Sequence, residues 1–214
     1  MAIVSNTFQT YQAIGDREDL TDIIYNISPT DTPFMSSIGK EKASGVLHEW
    51  QTDALAAAAS NNHQIEGDEI SFGAVSPTAR INNHTQISRK AVVVSGTQDA
   101  VNKAGRNNEL AYQISKSSKE LKRDMETTLC LNQTGTAGST GAARKLSGLA
   151  SWIQASTSVG TSGANGQVSS VDTPGTARTD GTQRAFTEAQ LKDVVKKCWD
   201  EGGDPSMIML GSFN

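Results

Sequence analysis

A single apolar stripe with helical spacing runs through the middle of this 214-residue chain and constrains its fold more than any other feature. No proline interrupts the pattern between Asn107 and Leu131, and its apolar positions recur at intervals of four and seven. Such a helix is roughly 36 Å long at a rise of about 1.5 Å per residue, which predicts a spine for other elements. The predicted core positions of this helix are Leu110, Ile114, Leu121, Met125 and Leu129.

The helical pattern extends upstream of this stripe, to about Thr97. Ser95 and Gln98 are placed as a capping box there, and Gly105 is the weak point of the segment.

The N-terminal segment predicts a short amphipathic helix over residues 16–27, followed by an extended arm. Its apolar side chains fall at i, i+3, i+4 and i+7, which places them on one helical face. Pro29 and Pro33 each push the preceding residue into an extended conformation, so the arm covers Ser28 to Phe34. A short helix with an extended tail has too little contact with itself to be stable alone, and it must dock on something.

Residues 46–95 predict an extended hairpin. Val46 to Thr52 and Arg80 to Ser95 have the composition of strands, and a polar stretch containing Glu66-Gly67-Asp68 joins them. A two-stranded hairpin is marginal in water, so a third strand or another subunit must cover it.

Half of residues 132–183 are Gly, Ser or Thr, namely 26 of 52, which predicts flexible loops around the apolar island Leu146 to Ile153. A helix is predicted from the Thr187 and Gln190 capping box to Gly202, followed by a buried strand over Met207 to Leu210. Because a buried strand needs partners on both edges, we expect a further C-terminal portion of this α/β unit.

Composition and motif searches exclude several classes of function. The formal charge is −4 and aromatic residues make up 5%, which argues against a dedicated nucleic-acid binder. The histidines and the two cysteines have no metal-ligand or nucleophile spacing, so we expect no metal, no cofactor and no enzymatic activity. The longest apolar run, Ala54 to Ala59, is far shorter than the roughly 20 residues of a membrane helix. A mean hydropathy of −0.41 indicates that part of the burial comes from neighbouring molecules.

Four runs in order resemble the major capsid, or major head, proteins of tailed bacteriophages (Caudoviricetes) with the Hong Kong 97-type fold. The runs are Asp19 to Phe34, His48 to Asp53, Ser95 to Gln98 and Glu120 to Glu126. The resemblance covers about Asp16 to Ile153 and resumes from Phe186 to Asn214.

The resemblance implies an α+β fold of four parts. These are an N-terminal arm (1–45), an extended hairpin called the E-loop (46–95), a peripheral domain with the spine helix at about 107–131 (96–185), and the start of an axial domain (186–214).

The resemblance also implies a structural, self-assembling viral protein. Many copies, arranged as hexamers and pentamers, would form the icosahedral capsid that encloses double-stranded DNA in the virion after assembly in the host cytoplasm. Implied partners are a separately encoded scaffolding protein, a portal protein, packaged DNA through non-specific contact, and a decoration protein, with no membrane. The candidate inter-subunit contacts are Leu20, Ile23, Ile24, Ile27, Phe34, Trp50, Glu66 and Arg80.

Two alternatives stay open at this point. An encapsulin-type nanocompartment shell shares the fold but encloses protein cargo. A secreted β-rich surface protein would account for the Ser- and Thr-rich segment, although the sequence has no export signal.

Overall fold

The computed structural model describes residues 23–24, 30–168 and 175–211. In chain order these residues form α1 (Pro33–Ser37), β1 (Leu47–Thr52), β2 (Ala79–His84), α2 (Gly96–Ala100), α3 (Glu109–Cys130), α4 (Leu149–Trp152) and α5 (Glu188–Asp200). The chain divides into two compact units, Met1–Thr30 with Lys90–Glu120 and Asp31–Arg89 with Leu121–Asn214, and the division falls within α3. Most of the helix predicted over 16–27 lies outside the described residues.

The long helix is present as α3, two residues inside the predicted start and one inside the predicted end. Its start is capped by Asn108, whose side-chain oxygen accepts the Ala111 N–H at 2.7 Å. The prediction of one helix from Thr97 is wrong, because Ser95 instead caps the separate helix α2, accepting the Gln98 N–H at 3.2 Å. Gly105 has φ +76°, a left-handed conformation that interrupts helical continuation between α2 and α3.

The hairpin pairs β1 and β2 antiparallel, from Leu47 opposite His84 to Thr52 opposite Ala79. The first strand lies where the sequence predicts it, but the second ends at His84, so its predicted extension to Ser95 is wrong. Beyond the ladder, the Thr85 N–H still bonds to the Val46 carbonyl oxygen at 2.9 Å. The Gln86 side chain then accepts the Leu146 N–H at 3.2 Å. From this residue onward the hydrogen bonding is to a segment outside the hairpin.

The predicted extended arm ends earlier than expected, because Pro33 begins the helix α1 rather than continuing an extended segment. Proline suits the first turn of a helix, where its missing N–H is not needed and its fixed φ is already helical. Thr32, which precedes it, has φ −129° and ψ 72°, outside the helical region that proline disfavours in the residue before it.

The described part of the Gly/Ser/Thr-rich segment forms loops, as predicted, apart from the short helix α4, and isolated backbone pairs link these loops. Antiparallel bridges pair Thr136 with Lys145 and Ser139 with Ala142, and a second set pairs Ala164 with Thr179 and Gln167 with Thr176. Glycines permit close backbone approach here: a Cβ on Gly148 would lie 1.8 Å from the Leu131 carbonyl oxygen. Small residues in this segment therefore allow backbone segments to pack closely.

The helix α5 begins as predicted, with the Thr187 N–H donating to the Gln190 side chain at 3.1 Å. It ends where Gly202, at φ +82°, directs its N–H to the Trp199 carbonyl oxygen. The buried strand predicted over Met207 to Leu210 is not formed: its four side chains are 42–61% exposed. No described residue pairs with this segment, and an unpaired strand does not persist alone.

Burial in this chain is polar. Among the described residues no apolar side chain is buried, whereas Asn82, Glu109, Ser147 and Ser151 are at most 5% exposed. Large apolar side chains stay in contact with water instead, on the hairpin, on α3 and around α5. The helices of the described part are all too short or too polar to span a membrane.

The close approach at Gly148 predicts a selective loss of stability. Gly148 has φ −78° and ψ 165°, which alanine adopts freely, so Gly148→Ala should cost only the steric conflict with Leu131, about 1–3 kcal/mol. Gly141→Ala is the matched control, because nothing lies within 4 Å of its Cβ position. Urea unfolding of the two variants measures the difference, and equal midpoints would contradict the packing described for Gly148.

Candidate functional site

The connection between β1 and β2, residues 53–78, is the most exposed apolar segment of the described chain. Every residue in it is exposed. Five large apolar side chains in this connection are 78–100% exposed: Leu55, Ile65, Ile70, Phe72 and Val75. A monomeric soluble protein rarely leaves so much apolar surface in one segment, so this exposure indicates a surface for a partner.

The same connection carries charge of one sign. Its acidic residues are Asp53, Glu66, Asp68 and Glu69, and it contains no lysine or arginine. Glu66 stands in a turn closed by the Asp68 N–H, which bonds to the Ile65 carbonyl oxygen at 3.1 Å, with Gly67 at φ +84°. The turn thus presents carboxylates and the Ile65 side chain to solvent together.

One face of the hairpin is anchored through aromatic stacking. The Trp50 ring stacks on Trp152 with 5.1 Å between centroids and 28° between planes. His48 lies on the same face, at 5.7 Å from the Trp50 ring. Trp50 is 37% exposed, so this candidate contact residue is partly engaged within its own subunit.

Asn83 anchors the same hairpin face by a reciprocal pair of hydrogen bonds. Its side-chain oxygen accepts the Ser147 N–H at 2.8 Å, and its side-chain nitrogen donates to the Ser147 carbonyl oxygen at 3.2 Å. The Asn83 side chain thus bonds to the Ser147 backbone in the way that a neighbouring strand would.

Ser147 and Ser151 extend this anchor into a buried polar cluster. The Ser147 hydroxyl donates to the Gly175 carbonyl oxygen at 3.0 Å, and the Ser151 hydroxyl donates to the Gln133 carbonyl oxygen at 2.7 Å. Asn132 repeats the reciprocal pattern with the backbone of Arg178, at 2.7 and 2.9 Å. Side chain to backbone bonds between distant segments therefore hold the base of the hairpin.

The opposite hairpin face carries the candidate residue Arg80. Its guanidinium lies 3.5 Å from the Glu49 carboxylate across the strands, with the two side chains 62% and 36% exposed. An exposed pair of this kind contributes little stability, so Arg80 remains accessible to a partner.

The arm meets α3 through Glu126. The two carboxylate oxygens of Glu126 accept the backbone N–H groups of Phe34 and Met35, each at 2.7 Å. The candidate residue Phe34 is half-buried, and its backbone is fixed by this contact. Of the other arm candidates, Ile23 and Ile24 are exposed, and Leu20 and Ile27 lie outside the described residues.

The predicted core stripe of α3 is not buried within the described chain. Leu110, Ile114 and Met125 are 42%, 50% and 36% exposed, and Leu121 and Leu129 are half-buried. Their role as a packing face stays a prediction that requires further protein against the helix.

A polar network joins α2 to the start of α3. The Glu109 N–H donates to the Asp99 side chain at 3.0 Å, and the Glu109 carboxylate accepts from Gln113 at 2.8 Å and from the Arg106 guanidinium. These hydrogen bonds from Gln113 and Arg106 lower the pKa of the Glu109 carboxyl below its ordinary value.

The described residues offer little for chemistry. They contain no group of three or more His, Cys, Asp or Glu side chains that could hold a metal ion. Partial burial, with the nearby Glu126 charge, raises the pKa of the Cys130 thiol, which disfavours the nucleophilic thiolate form.

Several structural residues of this region carry no recognisable sequence signal. Asn83, Ser147 and Ser151 are polar residues whose burial no periodicity indicates, and Glu126 looks like any other charged residue of a solvated helix face. Trp152 was the exception, because it stands out within the apolar island Leu146 to Ile153.

Comparisons with known proteins find similarity to major capsid proteins. A family model described as SU10 major capsid protein matches residues 3–214. The chain is also 32% identical, over an alignment 231 positions long including gaps, to the major capsid protein of Escherichia phage Phieco32. That alignment covers 95% of this chain, and the chain spans 66% of the length of that relative.

The reciprocal bonds of Asn83 predict a stability effect. Asn83→Ala leaves the Ser147 N–H without its partner in a buried setting, which should cost about 1–3 kcal/mol. Asn62→Ala, in the exposed connection, is the matched control and should be neutral. Urea unfolding compares them, and equal stability would show that the hairpin base does not depend on Asn83.

The lowered pKa of Glu109 predicts an acid-dependent loss of stability. Because the folded-state pKa lies below the unfolded value near 4.5, the stabilisation is present above that pH and disappears as pH falls through the folded pKa. Thermal unfolding between about pH 3 and 6 should therefore show a weaker pH dependence for Glu109→Gln than for the parent. The same pH dependence of the melting temperature in both proteins would contradict the stabilising role of the hydrogen bonds to Glu109.

Proposed function

The chain belongs to the SU10 major capsid protein family, and on that premise we propose that it builds the icosahedral head of a tailed bacteriophage. Many copies would assemble around double-stranded DNA, and the protein would reside in the virion after assembly in the host cytoplasm. The family implies a structural rather than an enzymatic role. The family favours this role over a nanocompartment shell or a secreted surface protein.

The observation that carries the proposal is the distribution of apolar surface. The described residues bury no apolar side chain, and the connection 53–78 alone exposes five large apolar side chains. Burial against neighbouring copies would remove this surface from water, at about 25 cal/mol per Å² of apolar area. A closed shell repeats each such contact many times, so modest individual interfaces suffice.

The connection would meet a basic surface of the neighbouring copy, because its four carboxylates have no cation of their own segment. The helix α3 offers cations for this contact: although the acidic Glu120 and Asp124 alternate with them, Lys116, Lys119 and Arg123 are exposed and form no ion pair with any described residue. Their spacing of three and four places them on one helical face. Opposite charges of this kind would guide the register of docking.

The domain assignment follows as part of the same proposal. Residues 1–45 would be the arm, 46–95 the E-loop, 96–185 the peripheral domain and 186–214 the start of the axial domain, in a Hong Kong 97-type fold. The exposed segment Met207 to Leu210 would then find its strand partners elsewhere in the assembled protein. Proposed partners are hexamer and pentamer neighbours, a scaffolding protein, a portal protein, the packaged DNA and a decoration protein.

Phe72 provides a test that separates assembly from folding. Its side chain is 94% exposed, so Phe72→Ser should leave the melting temperature of the unassembled subunit within about 1 °C. The same variant should form few or no shells in the full-length protein, whereas the neighbouring control Ser71→Ala should assemble like the parent. Negative-stain microscopy and calorimetry are the measurements. Normal shells from Phe72→Ser would contradict the role proposed for the connection.

A further inference from the structure

The short helix α1 has no cap of its own. The side chain of Thr32, which precedes it, makes no capping hydrogen bond. The first backbone N–H groups of any helix lack an intrahelical partner, and here Phe34 and Met35 direct theirs to the two oxygens of Glu126. Glu126 lies 91 and 92 positions away in sequence, on a helix of 22 residues.

This contact is geometrically restrictive. Two parallel hydrogen bonds to one carboxylate fix orientation as well as distance, and negative charge is favourable at a helix N-terminus. At the other end of α1 the Ile38 N–H bonds to the Phe34 carbonyl oxygen at 3.1 Å, so the backbone of Phe34 is held on both sides. The carboxylate therefore sets the direction in which the chain enters α1.

Packing does not duplicate this role. Phe34 and Met35 are half-buried and no residue of α1 is fully buried, so side-chain packing alone would hold the helix less firmly if the carboxylate were lost. The contact is also specific to one position of α3, because the Glu120 carboxylate has no hydrogen bond or ion pair among the described residues.

We propose that Glu126 is a positioning residue for assembly: its carboxylate fixes where the N-terminal arm joins the subunit body and thereby directs the arm to a second copy of the chain. This inference rests on the proposed capsid function. It adds to that function a residue that acts through Phe34 and Met35.

The experiment compares Glu126→Gln with Glu120→Gln in the full-length protein. Both variants remove one carboxylate charge from the same helix, but only the first replaces an acceptor oxygen with an amide group facing backbone donors. Hydrogen–deuterium exchange of the segment 31–38 in the unassembled subunit reports on the contact itself. We expect exchange to be about tenfold faster or more in Glu126→Gln, and unchanged in Glu120→Gln.

Shell formation supplies the second readout. The proposal predicts that Glu126→Gln lowers the yield of closed shells at least about tenfold, while Glu120→Gln and the parent assemble equally. Unchanged exchange in Glu126→Gln, or faster exchange with a normal shell yield, would overturn the positioning role and leave the capsid function intact. Failure of the parent itself to form shells would overturn the proposed function and, with it, the assembly role of Glu126.

Discussion

Hydrogen bonds from side chains to distant backbone atoms hold the described part of this subunit together. Asn83 joins the hairpin to Ser147, Asn132 joins the end of α3 to Arg178, and Glu126 joins α3 to α1. The net contribution of each such hydrogen bond to the free energy of unfolding is only about 0.5–1.5 kcal/mol, or up to about 3 kcal/mol where one partner is charged. They confer direction and register, which apolar packing alone provides less sharply.

The subunit therefore leaves large apolar side chains exposed instead of packing them into a core of its own. Leu55 and Phe72 on the hairpin connection, and Trp199 and Ile208 near the end of the chain, are all more than 60% exposed. A fold with so little internal apolar burial has a small margin of stability by itself, and any partner that binds the folded form raises it. Assembly and folding stability are coupled in such a protein.

The sequence predicted those elements whose signal is local. The periodicity of α3, the capping of α5 by Thr187 and Gln190, and the first hairpin strand are properties of neighbouring residues, and each is present. The failures involve distant partners. The second strand ends at His84, and Gln86 instead bonds to the distant Leu146, while Met207 to Leu210 lacks a described neighbour.

The glycine-rich segment and the candidate contacts illustrate the same limit. Composition suggested flexibility for residues 132–183, but glycines such as Gly148 and Gly166 permit backbone approaches that composition cannot reveal. The family resemblance marks Phe34 and Trp50 as candidate contacts, and the structure adds the contacts that orient them, Glu126 and Trp152. Such contacts depend on residues roughly a hundred positions away, which no local pattern encodes.

In the proposed assembly, neighbouring copies cover the apolar surface that the subunit leaves exposed. Hydroxyl-radical footprinting of the unassembled full-length subunit and of closed shells measures this directly at Leu55 and Phe72. Labelling of both side chains should fall several-fold on assembly, while labelling of the half-buried Trp152 should change little. Equal labelling of Leu55 and Phe72 in subunit and shell would contradict it.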